Sequence, residues 1–467
     1  GTAFAVFYAI FGLPLGRLAD VWSRKKLISI GLVTWSLMTA LSGTAKSFFS
    51  LSVYRVGVGI GESSASPASY SLLSDYFPPK VRTTILAIYS SGVYIGAGIG
   101  VFLGGWIVEL WNHAYPDPSL APLGLRGWQA AFMAVGIPGL ILACFTWQIK
   151  EPKRGMSDGI ETPEHPHPFK EMLNEFVGIT PLALLGSKQY KKLLGINFLI
   201  ALMIAIASYF LIILTGDMVQ WIAFGFGCYV VTCWIQGLQI RDYATYSMIF
   251  KSKALLFSVV GFPFLSFITY SGAAFGPAFY MRNFGVSEGE VATVLGLTAA
   301  IAGMIGVILG GIIGDKLRKK YTNGRFYVAF LVILLVAPFN LGVLYSENLY
   351  ASYIWNFIVQ LISPMWVGIA PAIVADLVMP RMRAIAGAFY ILMVSMLGLA
   401  LGPYSVGLLS DTLISQGYSD AEGLKTALAA SMGVLIISAT MLLLACRYLP
   451  GDESSKLERA KQLGEVT

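Results

Sequence analysis

Charge is scarce in this chain. Asp, Glu, Lys and Arg make up 12% of its 467 residues, against 56% hydrophobic positions, and there are only three histidines and four cysteines. A soluble domain carries about 25% charged residues, so that class is excluded and a polytopic helical membrane protein is expected. Cys144, Cys228, Cys233 and Cys446 lie in apolar runs without metal-ligand spacing and read as small buried hydrophobes, not redox groups. No signal peptide is expected from the opening run, and there is no Asn-x-Ser/Thr acceptor. His165-Pro-His167, with Glu161 and Glu164 nearby, is more simply a solvated loop than a metal site, so no metal or cofactor is expected. A constellation of nucleophile and base at one depth is also missing, which argues against an enzyme.

What is present fits the membrane class. The net charge of +7 falls in short clusters between apolar runs, as loops do on the cytoplasmic side, so no nucleic-acid partner is expected. Residues 1–149 read as an N-terminal half: an apolar run at 2–15 ends in a basic loop through Lys26, and spans follow at about 27–45, 48–73, 83–108 and 128–149. The polar stretch 150–192 reads as a cytoplasmic linker. Two apolar runs within 193–238, joined by Thr215-Gly216-Asp217-Met218, read as an inserted transmembrane hairpin. A second linker, 239–254, leads to a C-terminal half, 255–446, with six spans, and to a charged cytoplasmic tail, 447–467. Thirteen spans with the tail inside would put Gly1 outside, so a further helix is expected upstream.

Two ionised side chains interrupt the 48–73 span. In Arg55-Val-Gly-Val-Gly-Ile-Gly-Glu62 the charges lie about two turns, or ~10 Å, apart and share one helix face. Each costs roughly 2.5 to 3.5 kcal/mol in a bilayer, and an intramembrane ionisable residue marks a functional site by default. Glu62 is therefore a candidate proton or substrate site in a central cavity. For Arg55 the alternatives are a structural clamp on a carbonyl and an anchor for an anionic headgroup. Tyr89, Tyr94, Tyr270, Tyr280, Tyr390 and Trp366 are candidate cavity aromatics, with ordinary packing as the plainer explanation for each.

The chain repeats itself. Gly16-x-x-x-Asp20-x-x-x-Arg24-Lys25 recurs as Gly311-x-x-x-Asp315-x-x-x-Lys319-Lys320, and Asp75 to Arg82 recurs as Asp376 to Arg383 with Pro79 matched by Pro380. Glycines at 96, 100 and 104 recur at 398, 402 and 407. Three matches in one order imply two halves related by duplication, as in transporters built from parallel repeats. The stripe Gly92, Gly96, Gly100, Gly104 predicts close helix packing.

These motifs resemble the major facilitator superfamily: the Gly16 to Lys25 loop its signature after the second helix, Arg55-x-x-x-Gly59-x-Gly61 its fourth-helix motif, and Gly96 to Gly105 its fifth-helix motif. Arg55 to Ser63, Ser74 to Pro78, and Gly127-Trp128 to Pro138-Gly139 look most like spinster-type proteins. The resemblance implies an all-α fold of two six-helix halves, without a first helix in this chain, plus the inserted hairpin. It implies a proton-linked transporter of an amphipathic lipid-like anion, of lysolipid or sphingosine 1-phosphate type, working by alternating access in a bacterial inner membrane. The partners implied are membrane lipids, a small amphipathic substrate and protons. It further implies a cytoplasmic gate in which Asp20 caps the helix that starts near Arg383 while Arg24 pairs with Asp75. In the mirror pair Asp315 meets the helix at Arg82, and Lys319 lies beside Asp376. The alternatives are a proton-coupled drug or small organic anion transporter, a non-transporting receptor or scaffold, and a membrane-embedded enzyme.

Overall fold

The computed structural model describes residues 2–160, 162, 165–184 and 191–465. Glu161 and Glu164, part of the metal-loop alternative, lie outside these residues. The first half comprises α1 (Thr2–Val21), α2 (Arg24–Ser42), α3 (Phe48–Ser63), α4 (Ala65–Tyr76), α5 (Arg82–Ala114) and α6 (Gly127–Gln148). After α7 (Pro168–Gly178) come the hairpin helices α8 (Lys191–Thr215) and α9 (Met218–Arg241), then the short α10 (Tyr243–Phe250). The second half comprises α11 (Lys253–Phe284), α12 (Glu288–Lys320), α13 (Gly324–Tyr345), α14 (Leu349–Ile362), α15 (Ile369–Leu377), α16 (Arg383–Met393), α17 (Leu401–Ser415), α18 (Asp420–Ser431) and α19 (Val434–Ser454). α20 (Lys456–Gln462) follows in the tail.

Among the described residues ten helices are long and apolar enough to cross a bilayer. The expected span at 48–73 is broken at Ser64 into α3 and α4. Pro67 has no N–H to give the Ser63 carbonyl, and the Ser63 and Ser64 hydroxyls donate back to the carbonyls of Ile60 and Gly61. The second half breaks at the matching place, where Ser363-Pro364 begins a 3₁₀ turn between α14 and α15. Each half therefore carries an interrupted helix at the matching place. Between α16 and α17 the chain passes through a π-helical turn, Val394–Ala400.

The largest core lies in the second half, where Phe262 of α11 stacks on Phe326 and Trp366. The halves meet chiefly along α5 with α12 and along α16 with α1 and α4. In the hairpin, α9 packs on α1, while α8 turns Phe198, Phe210 and Leu214 outward, as a lipid-facing helix does. One polar knot joins the two: Asn197 donates to Gln236 (2.7 Å) and Tyr229 donates to Asn197 (3.0 Å). The two segments read as linkers are folded, with α7 and α10 inside them and residues 151–159 wedged against the ends of the bundle.

Candidate functional site

Two sites stand along the line between the halves. The first lies at the end of the bundle that carries the Gly-x-x-x-Asp loops, here termed the basic face. α1 continues beyond its apolar run to Val21, so Asp20 sits on its last turn. The buried Asp20 carboxylate accepts from the backbone N–H groups of Ala384 (2.9 Å) and Ile385 (2.8 Å), in the first turn of α16. Asp315 repeats the arrangement, accepting from Thr83 N–H (3.3 Å) and from Thr84 N–H and hydroxyl (2.8 Å each) in the first turn of α5. Helix N-termini leave such donors unpaired, and their dipole favours an anion.

Small residues permit this approach. A Cβ on Gly16 would lie 2.7 Å from Ala388 Cβ, and one on Gly311 would lie 2.6 Å from Ala87 Cβ. Around the caps, Arg24 pairs with Asp75, and Arg383 reaches the same carboxylate across the halves (2.9 Å). Arg82 crosses in the opposite sense to Asp376. Lys319 is not beside Asp376. α12 extends further past Asp315 than α1 does past Asp20, which carries Lys319 round to the exposed side, and Arg325 on the first turn of α13 pairs with Asp376 instead.

The linker completes the junction, which the sequence reading missed. Glu151 accepts from the backbone N–H of Arg24 (2.8 Å), and Asp158 bonds both Arg82 (3.1 Å) and Arg383. Burial opposes ionisation of Asp158, but the guanidiniums of Arg383 and Arg82 outweigh it and hold the carboxyl below its ordinary range. Glu151 is depressed likewise: burial is outweighed by the Ser23 hydroxyl and by Arg24. A flanking knot ties the second linker to the tail, since Arg381 binds both Asp242 (2.9 Å) and Glu465 while Asp242 also meets Arg17 (3.0 Å). The only sequence signal for these partners was the density of Glu, Asp and Arg in segments that no span accounts for.

The second site surrounds Glu62, at the break between α3 and α4. Its side chain is open to solvent-sized space although protein surrounds it on most sides, and Arg55 lies within electrostatic reach on the same face. Tyr8 of α1, Tyr89 of α5 and Tyr270 of α11 lie within electrostatic reach of the carboxylate, so both halves contribute to its surroundings. The Tyr8 hydroxyl donates to the Glu62 carbonyl (3.4 Å), and Tyr70 meets Tyr89 edge to face at 5.7 Å. Tyr390 and Tyr94 extend the group, with the Tyr94 ring against Gly303 of α12. Tyr8 and Tyr70 were not foreseen. Tyr280 and Trp366 belong elsewhere: Tyr280 is buried and donates to the Ser352 carbonyl, and Trp366 is stacked in the core.

The glycine stripe of α5 does not pack. A Cβ on Gly92, Gly96, Gly100 or Gly104 would meet nothing within 4 Å, whereas one on Gly98 would lie 2.5 Å from Ala300 Cβ. α5 leans on α12 through Gly98, and the stripe faces open space. No group of three or more potential metal ligands occurs among the described residues.

The family profile described as Major Facilitator Superfamily matches residues 1–403. The chain is 23% identical to an MFS-type efflux pump of Mycolicibacterium smegmatis, over 96% of this chain and 83% of that one. It is 23% identical to the sphingosine-1-phosphate transporter SPNS2 of Danio rerio, over 99% of this chain and 79% of that one. Among solved structures it resembles a bacterial homolog of the human lysosomal transporter Spinster in an inward-facing, unoccupied conformation. That likeness has a TM-score of 0.61 and 23% identity, and covers 97% of this chain and 89% of the other.

Proposed function

Since the chain belongs to the Major Facilitator Superfamily, we propose that it is a proton-linked secondary transporter of an amphipathic, lipid-like anion that works by alternating access. The observation that carries this reading is the placement of Arg55 and Glu62 on one face of a broken helix, with tyrosines from both halves within electrostatic reach. A guanidinium and a titratable carboxyl on one helix face, about two turns apart, suit an anionic headgroup and a coupled proton, and the aromatic surround suits an apolar tail. We assign the basic face to the cytoplasm, because basic loops stay on that side, and the tail then lies there too. In this orientation Asp20, Asp315 and their ion pairs form the inside gate, and the described state is closed to the cytoplasm. Loss of these contacts, with rocking of the halves, would open the Glu62 site inward.

The resemblance to a sphingosine-1-phosphate transporter supports a lipid-like cargo for this chain. Equal similarity to an efflux pump favours a second reading, a proton-coupled exporter of drugs or small organic anions. The test is flux in liposomes that contain the purified protein. A lysolipid, sphingosine 1-phosphate and a cationic dye are each offered with and without an inward pH gradient. Gradient-dependent movement of the zwitterionic or anionic lipids supports the first reading. Movement of the dye alone supports the second, and movement of none refutes both.

A further inference from the structure

Residues 151–159 of the linker do more than join two domains. Nearly all their anchors are in the first half: Arg154 donates to the carbonyls of Ala19 (2.9 Å) and Trp22 (3.2 Å), Gly155 N–H to Asp75 (3.0 Å), and Ser157 Oγ to the Ser74 carbonyl (2.6 Å). Asp158 reaches across. It bonds Arg82, which belongs to the first half, and Arg383, which belongs to the second and is the repeat mate of Arg82. Both arginines are fully buried, and each also holds a carboxylate in the other half.

We propose that this segment is a moving tooth of the gate, carried on the first half, whose Asp158 carboxylate engages Arg383 only while the basic face is closed. The inference rests on the alternating-access reading and adds a component to it. The physical reason is charge. Closure brings two equivalent guanidiniums toward the axis between the halves, where low dielectric strengthens their repulsion, and one shared carboxylate offsets it. When the halves part, Arg82 keeps Asp158 and Arg383 loses it. The geometry of the tooth depends on Gly155, whose φ is +79° and whose added Cβ would lie 1.7 Å from the Ile160 carbonyl oxygen.

The test needs no substrate. Spin labels on K80C and K320C, exposed residues in opposite halves, report the opening of the basic face in a background that lacks the exposed Cys144. Asp158→Asn removes a charge-assisted bond and is expected to raise the population with long distances at least about tenfold, with Asp158→Glu close to the parent. Unchanged distances in Asp158→Asn, or equal shifts in both variants, overturn the proposal. Should Asp158→Asn fail to fold, Gly155→Ala displaces the tooth without altering any charge and must shift the distances the same way; no shift again overturns it. Liposome flux separates the two readings: cargo that moves while distances ignore both variants removes the tooth and leaves the transporter.

Discussion

Asp20 and Asp315 hold equivalent positions in the two repeats, and each carboxylate accepts two backbone N–H bonds from the first turn of a helix in the opposite half. A dipole contact at an exposed helix end contributes about 0.3 to 1 kcal/mol. These two are buried and hydrogen-bonded, so loss of charge leaves desolvated donors and costs about 1 to 3 kcal/mol. We expect Asp20→Asn to speed hydrogen exchange at the amides of Ala384 and Ile385, and Asp315→Asn to do so at Thr83 and Thr84. Exchange unchanged from the parent at those amides would refute the latch.

The glycines under the caps make a second prediction. Gly16→Ala and Gly311→Ala push a methyl group into Ala388 and Ala87 respectively, and overpacking of this kind costs about 1 to 3 kcal/mol. Both should disfavour the state closed on the basic face and raise thiol labelling of a cysteine placed at the buried Ser74. Gly100→Ala adds a methyl group in open space, so its stability should change by less than about 0.5 kcal/mol. A Gly100→Ala variant as disruptive as Gly16→Ala would show that the stripe packs in another dominant state.

Glu62→Gln keeps the shape of the side chain and removes its titration. Flux driven by a pH gradient should fall to the level seen without one, while the melting temperature in detergent stays near that of the parent because the side chain borders open space. Retained pH dependence in this variant would remove Glu62 from the coupling role.

Asp158 yields a pH prediction with a fixed sign. Its carboxyl in the closed state lies below the ordinary value, which for Asp is about 3.9, because the guanidiniums of Arg383 and Arg82 outweigh the effect of burial. A depressed value means that the stabilisation is complete above the ordinary value and is lost as pH falls through the depressed one. The difference in spin-label distances between the parent and Asp158→Asn should therefore be constant from about pH 5 to 8 and shrink only in stronger acid. A difference that vanishes near neutrality would assign the effect to another group.

The membrane class and the duplication were legible in the chain because they rest on local facts, apolar run length and the spacing of repeated motifs, whereas the gate positions Asp20, Asp315, Arg24 and Asp75 followed from the resemblance those motifs carry. The break beside Glu62 had a local cause too, in Pro67 and the adjacent serines, but a continuous apolar run concealed it. The replacement of Lys319 by Arg325 was not legible. It depends on where α12 stops, and about one extra turn of helix past the Asp moves a side chain from a junction to solvent.

Sequence alone therefore determined that this protein is a duplicated, polytopic helical chain with two charges on one face of an apolar run and a repeated Gly-x-x-x-Asp loop. Only the tertiary structure decided which partners those charges meet: that Asp158 lies between Arg82 and Arg383, that tyrosines from both halves gather at Glu62, and that the α5 glycines face open space. Propensity, patterning and span length act over a turn or two of helix. The pairing of ions from distant segments depends on how two rigid halves meet, and that geometry is summed over the whole interface.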